Sequence, residues 1–199
     1  MPIKKMSAPK ESVVLSHEWA AKRAGRKRAV RSRSEEDEDA LLSHAVYHAC
    51  AAELLDDKGL DKAQLVAWRH FHYHPGEGYV AHEIRIGEQP GEHFFNAAHT
   101  GATIAEIRAL ALKAESLREL EKDNYELALL RLPALKIMAV WLRATLRKND
   151  YFIPLSPCFH GLLAGKLYKA KDFLAIAKKV AQAYLEQAAS QSADDLKGG

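Results

Sequence analysis

The chain has 199 residues, of which 48% are apolar and 28% charged, with a formal net charge of +3. These values exclude a fibrous or wholly disordered chain and suit one domain with a tail, large enough to bury a core without disulfide or metal staples. So small a net charge gives by itself no reason to expect a nucleic-acid or membrane partner.

The N-terminal run from Met1 to Lys10 is positively charged with no apolar stretch behind it, so it does not read as a secretory signal. No apolar run approaches membrane-spanning length, and a soluble, cytoplasmic protein is expected. Cys50 and Cys158 are too few for a disulfide framework, and their apolar or small neighbours predict buried free thiols.

Charge is segregated in the first forty residues. Seven basic residues (Lys22, Arg23, Arg26, Lys27, Arg28, Arg31 and Arg33) precede the acidic run Glu35 to Asp39. A basic block can neutralise phosphates, which makes nucleic acid a possible partner. The preferred reading is local: a helix over about Ser12 to Arg31 closes with cations at its negative end, and Ser34 caps a second helix whose first turn is acidic. No aromatic residue interleaves the basic block, so stacking on single-stranded bases has no support there.

Leu41, Ala45, His48, Ala52 and Leu55 recur at intervals of four and three, which predicts an amphipathic helix over Leu41 to Leu55, stopped at Gly59. On it His44 and His48 lie one turn apart, a spacing able to chelate a metal, though packed or surface histidines are the preferred reading. Asp61 to Gln64 fits a capping box for at most two helical turns. A β-hairpin of about Trp68 to His74 and Tyr79 to Ile86 follows, turning at Pro75 to Gly78.

Six of the ten histidines fall between His70 and His99, with Glu77, Glu83 and Glu92 among them. Imidazole plus carboxylate is the usual first shell of a transition metal. On a strand His70, His72 and His74 share a face, and pairing His74 with Tyr79 brings His70 opposite Glu83. A register slip would break that convergence. The metal candidates are His70 and His72 with Glu83 or Glu77, and His93 or His99 as a further ligand or base.

His70-Phe71-His72 followed by Glu77 resembles the first metal-binding motif of the cupin family, and Pro90 to Asn96 is similar to the second. Such a resemblance implies a metal in a β-barrel. The second motif is compressed here, the interval between motifs is very short, the flanking glycines are missing, and helical patterns lie on both sides. The likeness covers fewer than thirty residues and is set aside as coincidence.

Gly87 to Gly101 shows no regular pattern. Thr103 to Glu106 is a capping box opening a helix that runs to about Lys122. Tyr125 to Leu132 carries leucines on both faces, as in a central strand. Ala134 to Leu142 is almost continuously apolar and reads as either buried helix or strand, with strand preferred over 135 to 142. Tyr151 to Leu155 is a further strand, with Pro154 at an edge or end. A last amphipathic helix covers about Lys171 to Ala189, before a frayed tail of residues 191 to 199.

The expected fold is α+β: a mostly antiparallel sheet formed by the hairpin at about 68–86 and strands at about 125–132, 135–142 and 151–155, covered by amphipathic helices. Residues 1–39 form a partly helical charged arm, residues 40–190 a single domain. No G-x-G-x-x-G, P-loop, G-x-S-x-G or H-E-x-x-H motif occurs. The leading functional expectation is a non-catalytic interaction or assembly component that docks through the arm on another protein or a second copy of itself. The alternatives are a metal-dependent enzyme using the His70 to His99 cluster and nucleic-acid binding through residues 22–33.

Overall fold

A computed structural model describes residues 3–4, 7–24, 42–56, 59–74, 76–120 and 123–195. In chain order its elements are β1 (Ile3–Lys4), α1 (Lys10–Ala24), β2 (His44–His48), α2 (Ala51–Leu55), β3 (Gln64–His74), β4 (Gly78–Ile86) and β5 (His93–His99). There follow α3 (Ala102–Glu115), β6 (Tyr125–Leu132), β7 (Ile137–Arg143), β8 (Tyr151–Pro154), β9 (Tyr168–Lys169) and α4 (Ala170–Asp195). The nine described strands form one open sheet in the order β5-β4-β3-β2-β6-β7-β8-β9, with β1 beside β6. Only β1 and β2 lie parallel to β6; the remaining ladders are antiparallel. The mixed, mostly antiparallel architecture is the expected one, and an open sheet is not a cupin barrel.

Alternation along β6 explains the two cores. Leu127 and Leu129 point to one face, where Ile104, Ile107 and Leu110 of α3 close over them together with Val140 and Leu142. Ala128 and Leu130 point to the other, where they meet Trp141, Phe152, Leu54 of α2 and Phe173, Ala177 and Ala181 of α4. Both faces of a central strand are thus apolar because both are covered. On this second face α2 and α4 cover the β6 to β8 half. The β3 to β5 half is covered by α1.

The helix expected over Leu41 to Leu55 is instead the strand β2 followed by the short α2. His44, Val46 and His48 face the α3 side and Ala45 and Tyr47 the other, and the strand is paired on both edges, with β3 and β6. A five-residue strand buried on two sides has no amphipathic period, so the intervals of four and three were fortuitous. The side chain of Glu53 then accepts the Cys50 backbone N–H at 2.8 Å and starts α2. Cys50 is exposed rather than buried, and neither it nor Cys158 is in a disulfide.

The capping box at Thr103 is not used as expected. α3 begins at Ala102 behind Gly101, whose φ of 86° suits glycine. The Glu106 carboxylate accepts instead from the Ser156 backbone N–H at 3.1 Å. The helix ends at Glu115, several residues short of Lys122. Three strands, β6, β7 and β8, match their expected spans closely, and α4 continues into the segment read as a frayed tail. β5 was not anticipated. The acidic run and its expected helix, together with residues 196–199, lie outside the described residues.

Phe152 stacks between Trp141 and Phe173, with ring centroids at 5.6 and 4.3 Å. Truncating it by Phe152→Ala is expected to cost about 3–5 kcal/mol, through lost burial and an unfilled cavity. Urea unfolding monitored by tryptophan fluorescence measures the loss.

Candidate functional site

The hairpin turn decides which side chains meet. Gly76 and Gly78 both take positive φ, Glu77 N–H donates to the His74 carbonyl, and His74 therefore pairs with Gly78 rather than with Tyr79. The register is one residue from the expected one. His70 now lies opposite His82, and Glu83 lies opposite Arg69. Because successive residues of a strand face opposite ways, this slip sends Glu83 to the α3 side of the sheet and leaves His70, His72 and His74 on the α1 side. The expected convergence of His70, His72 and Glu83 does not form.

On the α1 side a histidine floor results. The rings of His72 and His82 are 4.8 Å apart, those of His74 and His82 6.0 Å, and His17 of α1 meets His72 edge-on at 5.2 Å. α1 lies on this floor through two serines spaced four apart, one helical turn. Ser12 spends its only hydroxyl proton on the Pro9 carbonyl, so at 3.2 Å it accepts from His70 Nε2–H. His70 Nδ1 is then the acceptor, and Ser43 Oγ lies 3.3 Å from it. Ser16 Oγ is bonded to His72 Nε2 at 2.5 Å, and its backbone carbonyl accepts from His82 Nδ1–H at 3.1 Å. These assignments satisfy neutral imidazoles.

Burial is the main reason the imidazoles stay neutral, and the neighbouring histidines add to it. The value of His70 is lowered to about 4 and that of His72 to about 2, and His82 is lowered in the same way. At the open end Arg23 of α1 forms an ion pair with Glu77 on the hairpin turn, and the hydrogen bond from Arg23 holds the Glu77 carboxyl below its usual range. Among the described residues no group of three or more His, Cys, Asp or Glu side chains is arranged to hold a metal ion.

The opposite side of the same strands holds a charged cluster. Glu83 is almost fully buried and accepts from Arg69 Nε at 2.8 Å, Arg131 Nη2 at 2.7 Å and Asn96 Nδ2 at 3.1 Å. His99 Nε2 is 3.4 Å away. Burial alone would raise the Glu83 carboxyl, but His99, Arg131 and Arg69 together hold it well below the usual carboxylate range. Desolvation and the charge of Arg131 lower Arg69 to about 10, so it remains a cation at neutral pH. His44 is neutral here, lowered to about 3 by burial first and Arg69 second. The carboxylate is saturated with donors, which suits a cross-strand tie better than a catalytic base.

The remaining candidates are scattered. His93 sits at the start of β5 with its Nδ1–H on the Gly91 carbonyl. Lys22 covers the Trp19 ring at 5.0 Å, while Arg26, Lys27, Arg28, Arg31 and Arg33 lie outside the described residues. Ser12, Ser16, His17 and Trp19 belong to no motif in the sequence, although two serines one helical turn apart are a legible signal of a polar buried stripe. No family model, curated protein or solved structure matches the chain.

Two outcomes follow from these contacts. The buried histidines bind protons less readily folded than at the unfolded value of 6.5, so the unfolded chain takes up protons first as pH falls. Their stabilisation is complete above pH 6.5 and declines toward pH 4, with a slope of up to about 1.4 kcal/mol per pH unit for each fully linked histidine. Urea unfolding at pH 7.5 and 5 should show the decline, and His72→Gln should flatten it; a pH-independent stability over this window would contradict the assignment. Loss of the buried charge by Glu83→Gln leaves Arg69 uncompensated and is expected to cost about 3–5 kcal/mol at neutral pH, read by the same unfolding curves.

Proposed function

We propose that this protein is a cytoplasmic interaction or assembly component whose partner adds a strand along the outer edge of β5, beside the docked N-terminal arm. The observation that supports this reading is the edge itself. β5 is seven residues long (His-Phe-Phe-Asn-Ala-Ala-His), and it ends the sheet with no strand beyond it among the described residues. It carries no Lys, Arg, Asp, Glu or Pro, the residues that ordinarily guard an edge against pairing. Phe94 is 43% exposed on it. Backbone pairing there would give affinity, and the alternate side chains would give selectivity.

The arm contributes position and charge. α1 touches β5 through Trp19 stacked on Phe95, with ring centroids 4.0 Å apart. The basic block from Lys22 to Arg33 therefore starts beside the exposed edge, and its segregation from the acidic run equips it to steer an oppositely charged partner surface. The first partner to test is a second copy of the chain, since two β5 strands can pair antiparallel about a two-fold axis.

Phe94→Lys places a charge on the edge without touching either core. Sedimentation equilibrium of the wild-type chain should show a dimer, and this variant should shift it toward monomer by about tenfold or more in dissociation constant. A wild-type chain monomeric at about 100 μM, a concentration where even a weak specific dimer is populated, would remove the self-pairing reading.

A further inference from the structure

Where the last turn of α1 passes over β4 and β5, a cavity of about 350 Å³ opens, lined by Trp19, Lys22, Arg23, His82, Phe95 and Ala98. Its chemistry is divided. Trp19 and Phe95, stacked at 4.0 Å, make an apolar wall with the Ala98 methyl. Lys22 and Arg23 bring two cations, and no carboxylate is among the lining residues. Glu77 is on Arg23 but outside the lining. The size lies at the small end of ligand pockets, enough for one fused ring system and a polar group.

His82 closes the inner end: it is buried, and its Nδ1–H is committed to the Ser16 carbonyl, which fixes the ring beneath the cavity. An anionic group is matched by Lys22, whose ammonium on its flexible stem can leave the indole face to meet it, with Arg23 beside it sharing its charge with Glu77. A bare inorganic anion would leave the aromatic wall unused. A neutral apolar molecule would bring no carboxylate to Lys22, and the lining holds none.

We infer that this cavity is a binding site for a small organic anion with a flat apolar body, such as an aromatic carboxylate or a mononucleotide. The anionic group lies at Lys22 and Arg23 and the flat body against Trp19, Phe95 and Ala98. Because α1 supplies three of the six lining residues, a bound ligand bridges helix and sheet and holds the arm in place.

Isothermal titration with sodium naphthoate, neutral naphthamide, adenosine monophosphate and inorganic phosphate tests the site. Naphthoate is expected to bind at least about tenfold more tightly than naphthamide, and less tightly as salt is raised. Lys22→Gln should weaken naphthoate about three- to tenfold. Ala98→Leu, at an exposed position, should weaken binding at least about tenfold by narrowing the cavity where the flat body lies, while leaving the thermal midpoint close to wild type. Binding of adenosine monophosphate above naphthoate, still weakened in Ala98→Leu, would support the site and assign it to nucleotides. Equal binding of naphthoate and naphthamide, binding of phosphate alone, binding unchanged by Ala98→Leu, or no binding of any probe at millimolar concentration would each overturn the inference.

Discussion

The pairing of His74 with Gly78 is the constraint on which the chemistry of this molecule depends. Two glycines at positive φ shorten the hairpin connection by one residue relative to a four-residue loop, and side chains alternate across a strand. One residue of register therefore determines that imidazoles gather under α1 while Glu83 and Arg69 gather on the other side. With the longer loop Glu83 would stand among the histidines. The sheet would then bury a half-matched carboxylate under α1 and leave Arg69 and Arg131 without it.

The two faces solve opposite electrostatic problems in the same strands. Under α1 the buried imidazoles are kept neutral, and donor is matched to acceptor at Ser12, His70 and Ser43. Neutral groups avoid the large cost of desolvating a charge. On the α3 side the charges are retained, and two arginines compensate one carboxylate and tie β3, β4 and β6 across the sheet. Such a tie costs much of what it returns in free energy, and what it adds is geometric definition of the strands it connects.

α1 is held differently from the other helices. α3 and α4 bury rows of Ile, Leu, Phe and Ala in the two cores, whereas α1 sits on histidines through Ser12 and Ser16, at its far end through Trp19 on Phe95 and through the Arg23 to Glu77 ion pair. Hydrogen bonds between neutral groups contribute about 0.5–1.5 kcal/mol each, less than a buried leucine. Helix, uncharged β5 edge and aromatic-cationic cavity thus lie together at the end of the sheet that is least secured by apolar packing. A partner strand and a small anion would both act on this end.

Much of the architecture was legible in the sequence. The leucines of β6, the apolar run of β7, the proline at the end of β8, the hairpin and the period of α4 each carry a local signature that burial rewards directly. β2 has no local signature because a short strand covered on both faces shows no alternation, and β5 has none because His93 to His99 mixes polar and aromatic residues along an edge. Composition likewise identified the histidine cluster as the chemically distinctive region. What only the tertiary structure decided was the register of one hairpin and the placement of α1 across it. The register follows from the backbone that Gly76 and Gly78 adopt in the turn, one of several the glycines permit, while the placement of α1 follows from contacts between residues more than fifty positions apart, Ser12 with His70 and Ser16 with His72, which no local pattern encodes.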